Sequence, residues 1–205
     1  LFLPALSAAS LMAVLSCSSG GTTAPGGQEV CTGYPDWQSS AYVLPYSAGS
    51  TYEVIQGNCS PPGDGHRGAN RYAYDFGMPI GTPITASRAG TVVEVEESHT
   101  DGQVAATGFD NFVVIRHDDG TTAIYGHLTH DGVVPNVGAT VARGDVIARS
   151  GNTGNTGGIP HLHVSIQNCD PVALGTAGCP SRPLTFSNTD PNPTGLVRGQ
   201  SYLAE

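Results

Sequence analysis

The 205-residue chain has no lysine; its eight basic residues are all arginine, set against 17 acidic residues for a net charge of −9. The arginines are scattered from Arg67 to Arg198. No basic stripe exists to neutralise a phosphate backbone, which excludes nucleic-acid binding as a function class. Charged residues make up 12% of the chain and hydrophobic ones 39%, so neither a charge-rich disordered tail nor a polytopic membrane protein fits. The chain has no internal repeat and no run of ten or more residues at helical period. It also has no CxxC pair, so a thiolate zinc site or a redox motif lacks support, and a metal would have to sit on histidines and carboxylates. What is abundant is glycine and proline, 28 and 15 residues, the composition of short strands joined by many turns. The length is that of one domain with attachments.

From Leu1 to Leu15 the stretch LFLPALSAASLMAVL carries no charge. It is too short for a spanning helix and has the length of the apolar region of a secretory signal. It runs into Val14-Leu15-Ser16-Cys17, which resembles a bacterial lipobox, where cleavage leaves the cysteine as first residue with lipid on its sulfur. Residues 1–16 are therefore expected to be a signal peptide. Residues 17–30 are expected to be a lipid-anchor cysteine and a flexible tether, built around the polar SSGGTTAPGG of Ser18–Gly27, holding a folded domain beside a membrane without inserting it. Beyond Cys17, the cysteines at 31, 59, 169 and 179 are even in number, as a disulfide framework in an oxidising compartment requires. Of the three pairings possible, sequence proximity favours Cys31–Cys59 and Cys169–Cys179.

From about Tyr72 onward the chain reads as β. ITASRAGTVVEV (84–95) is strand-like on both sides of Gly90, and FVVIRH (112–117) runs into the turn residues Asp118-Asp119-Gly120, with TTAIYGHL as its hairpin partner. The glycine-rich GNTGNTGGIP (151–160) then opens onto HLHVSIQ. An all-β, mainly antiparallel core with long loops and little helix is the simplest architecture. The expected division is an N-terminal segment at 31–60, a core at 61–170 and a C-terminal extension at 171–205.

Strand periodicity sorts the histidines. In HLHVSIQ, positions 161, 163, 165 and 167 share one face and Leu162, Val164 and Ile166 the other, so two imidazoles stand together beside a cleft. The same alternation puts Tyr125 and His127 on a common face, with Gly126 leaving room for a close approach. Tyr125 is better read as a buried packing residue than as a hydrogen-bond donor to the site. His66 and Asp75 make a third polar site. Histidine, aspartate and histidine on a rigid β scaffold form a tetrahedral zinc set with one position open to water, the pattern of a catalytic rather than a closed structural site.

These residues, in this order, resemble the M23 family of zinc metallopeptidases, the lysostaphin or LytM-type peptidoglycan endopeptidases. The resemblance runs over His66 and Asp75 in HRGANRYAYDFGMPIGTPITASRAGTV, His127 in YGHL, and SGNTGNTGGIPHLHV with His161 and His163. It implies that His66, Asp75 and His163 bind one Zn2+ per chain and that His127 and His161 act on the metal-activated water and the transition state. The spacing His66 to Asp75 is H-x8-D, longer than the family's commonest H-x3-D, and Tyr72-Ala73-Tyr74-Asp75-Phe76 matches the longer variant. Asp64 ranks below His66 as an alternative ligand.

The implied function is hydrolysis of peptide crosslinks in bacterial peptidoglycan by an exported, membrane-anchored, periplasmic or cell-surface lipoprotein, expected to be monomeric. The alternative is an M23-like module that has lost its metal and binds or activates other cell-wall hydrolases; all five functional positions being filled favours the enzyme. Other features take simpler readings. His99, His117 and His130 lie in turn-like stretches and are expected to be exposed. Residues 151–158 lack the GK[ST] of a phosphate loop, and their glycines are expected to let a peptide approach the metal. VGATVARGDVIAR (137–149) resembles half of a biotinyl/lipoyl-type hairpin, but without any lysine to modify only the turn geometry is shared. The loops around 97–110 and 151–160 are the expected specificity loops.

Overall fold

The computed structural model describes residues 30–61, 65–102, 109–169 and 179–205. Residues 1–29, with Cys17, lie outside them, as do Asp64, residues 103–108 of the first expected specificity loop, and the DPVALGTAG segment between Cys169 and Cys179. Among the described residues ten strands form: β1 (Thr51–Gln56), β2 (Tyr74–Gly77), β3 (Pro83–Thr85), β4 (Gly90–Glu96), β5 (Phe112–Arg116), β6 (Thr122–Gly126), β7 (Thr140–Val141), β8 (Val146–Arg149), β9 (His161–Gln167) and β10 (Ser201–Leu203). Eight of them make one sheet in the order β10-β1-β2-β9-β6-β5-β4-β7, while β3 and β8 pair apart from it. Every ladder is antiparallel. The helical content of the described residues is two 3₁₀ turns, Trp37–Ser39 and Gly68–Asn70, so the all-β antiparallel expectation holds.

Alternation gives the sheet one apolar face. Tyr74 and Phe76 of β2, Val113 and Ile115 of β5, Ala123 and Tyr125 of β6, and Leu162, Val164 and Ile166 of β9 all join the main core. Their sequence neighbours point the other way, where Phe112, Val114 and Ile124 form a small second cluster and Asp75, His161 and His163 are buried polar groups. The main core also takes in Leu184, Phe186, Leu196, Tyr202 and Ala204 from the C-terminal stretch. That stretch is stitched to β2 at one phenol: the Tyr74 hydroxyl donates to the Leu184 carbonyl at 3.2 Å and accepts from the Leu196 N–H at 3.1 Å. Disulfides join Cys31 to Cys59 and Cys169 to Cys179, with Cα–Cα separations of 6.0 and 5.7 Å.

Register places the polar groups. Asp75 is the cross-strand partner of His163 across the β2–β9 ladder, and Gly126 is its partner across β6–β9. One rung thus carries a carboxylate, an imidazole and a residue without a side chain, which leaves open space over β6.

Candidate active site

His66 reaches this rung from outside the sheet. The residues between it and Asp75 turn back through the 3₁₀ turn at Gly68–Asn70, and the His66 Nδ1 meets the Ala73 carbonyl at 3.0 Å. The long H-x8-D spacing therefore ends with His66 Nε2 only 3.2 Å from Asp75 Oδ1. From the opposite strand, His163 Nδ1 lies 2.9 Å from the same oxygen. One ligand atom from each of His66, Asp75 and His163 falls within 4.8 Å of the others, and all three residues are buried. His163 Nε2 is buried with no hydrogen-bond partner among the described residues.

The donor set fits a divalent metal. A tetrahedral ion with ligands at about 2.0 Å sets neighbouring donor atoms about 3.3 Å apart, close to the 3.2 and 2.9 Å seen here. A carbonyl can only accept, so its contact with the His66 Nδ1 puts a ring hydrogen there; in the neutral ring that a metal would need, the Nε2 lone pair then faces Asp75. Two imidazoles and one carboxylate are borderline ligands suited to zinc.

Two further imidazoles complete the cleft. His161, two residues before His163 on β9, places Nε2 3.5 Å from Asp75 Oδ2 and Nδ1 2.7 Å from the Ile159 carbonyl. His127 follows β6, with its ring centroid 4.6 Å from that of His161 and 5.9 Å from that of His163. Its Nδ1 is 2.8 Å from the Thr153 carbonyl and 3.1 Å from Asp110 Oδ1. The five sequence-predicted residues therefore converge on one cleft of about 520 Å3, whose walls include Gln56, Asn70, Asn155 and Ile159.

Burial alone would lower the His66 pKa, but the charge and hydrogen bond of Asp75, with the Ala73 and Gly57 carbonyls, turn the net shift upward. Burial would raise that of Asp75; the His66 charge and the hydrogen bonds from His163 and His66 instead hold it well below the usual carboxylate range. Burial takes His163 down to about 4 and also lowers His161, where neighbouring His127 and His66 add to the effect. The site thus sets an ionised carboxylate among imidazoles, with burial favouring the neutral form at His161 and His163.

Three expectations need correction. Tyr125 and His127 do not share a face. Tyr125 is fully buried in the main core, its hydroxyl accepting from the Ser87 N–H at 2.8 Å, whereas His127 lines the cleft. The His127 backbone has φ +61°, a left-handed conformation uncommon for a residue other than glycine, and this breaks the alternation so that Leu128 enters the core instead. His117 is not exposed: it is 3% accessible, with Nδ1 2.8 Å from the Ala89 carbonyl and its ring edge-on to Tyr42. His99 is half-buried against Phe109, and His130 alone of the three is exposed. Finally, the loop glycines do more than clear a path. A side chain at Gly151 would overlap the Leu128–Thr129 backbone, and one at Gly154 the Asp110 carboxylate, whereas Gly157 faces open space. Asp110 and the Thr153 and Ile159 carbonyls were missed, since a backbone acceptor supplied by a loop has no residue-type signal.

A carboxylate and two imidazoles converging beside two more imidazoles, with one side open, is the arrangement of metal-dependent hydrolases. The chain belongs to peptidase family M23: the family model described as Peptidase family M23 matches residues 69–174, just over half of it. The match holds Asp75, His127, His161 and His163 but begins after His66, whose place rests on geometry. The peptidoglycan DD-endopeptidase ShyA of Vibrio cholerae is 39% identical over 92 residues, 45% of this chain and 19% of that protein. The glycyl-glycine endopeptidase ALE-1 of Staphylococcus capitis is 34% identical over 99 residues, 48% of this chain and 25% of that one. The chain thus spans only about a fifth to a quarter of these relatives. Among solved structures, the deep-sea M23 metalloprotease pseudoalterin aligns with a TM-score of 0.50 over 81% of this chain and 96% of its own, at 19% identity, a likeness of fold.

Proposed function

We propose that the chain is a zinc-dependent endopeptidase that hydrolyses peptide crosslinks of bacterial peptidoglycan. The observation that carries this reading is the convergence of one ligand atom from each of His66, Asp75 and His163 within 4.8 Å, with His127 and His161 alongside. His66, Asp75 and His163 would hold the metal. A bound zinc would supply Lewis acidity toward the scissile carbonyl and acidify water in the cleft.

The residues of the chain handle the protons. His127 and His161 each have Nδ1 against a carbonyl, so each keeps its hydrogen on Nδ1 and presents Nε2 to the cleft. A neutral Nε2 accepts a proton from the attacking water, and the other ring, once protonated, donates to the developing oxyanion or to the leaving amine. Their 4.6 Å ring separation lets both reach the same reacting group. Gln56, Asn70 and Asn155 offer uncharged donors and acceptors to a peptide backbone.

The names of the similar relatives support peptidoglycan as the substrate. Peptide stems and crosslinks would be the partners of an exported monomer, with a lipid on Cys17 holding it to a membrane and residues 1–16 removed as its signal. The test is elemental analysis of the purified chain with a peptidoglycan digestion assay, with and without chelator. About one zinc per chain and chelator-sensitive release of muropeptides are expected. A chain that takes up no zinc would instead be a binding or activator module.

A further inference from the structure

We propose that Asp110 is a positioning residue for His127, making the proton-handling side of the cleft a carboxylate–imidazole pair. This rests on the peptidase reading above. Asp110 Oδ1 lies 3.1 Å from His127 Nδ1, and the two side chains are 13% and 9% exposed. The Thr153 carbonyl approaches the same nitrogen at 2.8 Å. Neither a carbonyl nor a carboxylate oxygen can donate, so Nδ1 carries a hydrogen in both charge states of the ring and only Nε2 exchanges its proton with the cleft. The carbonyl alone would set the tautomer. The carboxylate adds a negative charge that stabilises the imidazolium formed when Nε2 takes a proton.

The surroundings are shaped to Asp110. Gly154, at φ +75°, sits where any Cβ would overlap the carboxylate. The next residue, Asn111, is fully buried and ties the neighbouring pieces together. Its N–H donates to the Thr153 hydroxyl at 3.0 Å, and its side-chain amide donates to the carbonyls of His99 at 2.8 Å and Leu128 at 3.3 Å. The Thr153 hydroxyl in turn donates to the Leu128 carbonyl at 2.8 Å. Asp110, Thr153 and the residue after His127 are thereby held in one hydrogen-bonded unit. His161 differs: its Nδ1 meets the Ile159 carbonyl, and the carboxylate near its ring, Asp75, lies on the Nε2 side.

The test compares Asp110→Ala and Asp110→Asn with the wild type, all as zinc-loaded full chains. In Asp110→Ala, kcat should fall about 10- to 100-fold, by analogy with the loss of the outer partner of a metal-bound histidine, with KM and zinc content unchanged. Asp110→Asn, which keeps an accepting oxygen of the same size, should recover part of the loss. Independently of turnover, the His127 ring 15N and Nδ1–H resonances should report Nδ1–H in the wild type. They should lose the deshielding of a charge-assisted hydrogen bond in Asp110→Ala. An inactive wild type would defeat the peptidase reading while leaving the NMR comparison to decide the pairing. Unchanged His127 resonances in Asp110→Ala, or a raised KM at unchanged kcat, would overturn the proposal, the second by making Asp110 a substrate contact.

Discussion

The two sides of the cleft are built by different means. On the β2–β9 side, Asp75 and His163 face each other on one rung of an antiparallel ladder and His161 stands two residues before His163 on the same strand, so strand register brings the three together. On the other side, His127 leaves the end of β6 at φ +61°, and its ring is held by groups from loops, the Thr153 carbonyl and Asp110. Periodic backbone thus suffices to place Asp75, His161 and His163, whereas His127 depends on one unusual backbone torsion and a fitted loop.

Breaking each side separately should give different losses. The largest effect is expected on the ladder side: His163→Ala removes a donor from the shared Asp75 oxygen, so zinc content should fall from about one per chain to near zero and hydrolysis with it. His127→Ala on the loop side, and equally His161→Ala on the ladder, should keep the zinc and lower turnover by about 10²- to 10⁴-fold, the usual contribution of a general acid or base. Metal retained with full hydrolysis in both variants would remove the proton-handling assignment.

Glycine replacements sharpen the comparison within the loop. Gly151→Ala places a methyl against the Leu128–Thr129 backbone, which cannot step aside as a flexible side chain can, and should cost about 3 kcal/mol. Gly157→Ala meets nothing within 4 Å at φ +61° and should cost only about 1 kcal/mol for the left-handed backbone. Urea unfolding of the two variants measures the difference; equal losses would mean that the loop is not packed as described.

The smallest effect expected lies away from the cleft, at His117. Burial lowers its pKa from 6.5, and its Nε2 has no hydrogen-bond partner among the described residues. The unfolded chain therefore binds a proton at a higher pH than the fold does. The sign is that stability is complete above about pH 6.5 and declines as pH falls toward the lower folded value. His117→Gln should flatten that part of the pH dependence, read from thermal unfolding of the zinc-loaded chain between pH 7 and 5.

His163 and His117 show how far sequence reading could go. Each is buried, with Nδ1 on an acceptor and Nε2 without a hydrogen-bond partner among the described residues. His163 was legible because it lies in an alternating strand, where period two separates Leu162 and Val164 from the imidazoles whatever the rest of the chain does. His117 adjoins Asp118-Asp119-Gly120, which reads as an exposed turn. It is covered by Tyr42, 75 positions away in sequence, and nothing local encodes that contact. The His127 face was misread for a related reason: alternation predicts direction only while φ stays extended.

Strand periodicity and residue chemistry are local properties, so the all-β class and the five candidate site residues were legible in the chain, the latter also through an order that resembles the M23 family. Tertiary structure alone decided that β2 and β9 are neighbours in register, that His66 returns to Asp75 across a long spacing, and that Asp110 meets His127. Those contacts join segments far apart in the chain, and their geometry follows from packing the apolar face of the sheet rather than from the identity of any one residue.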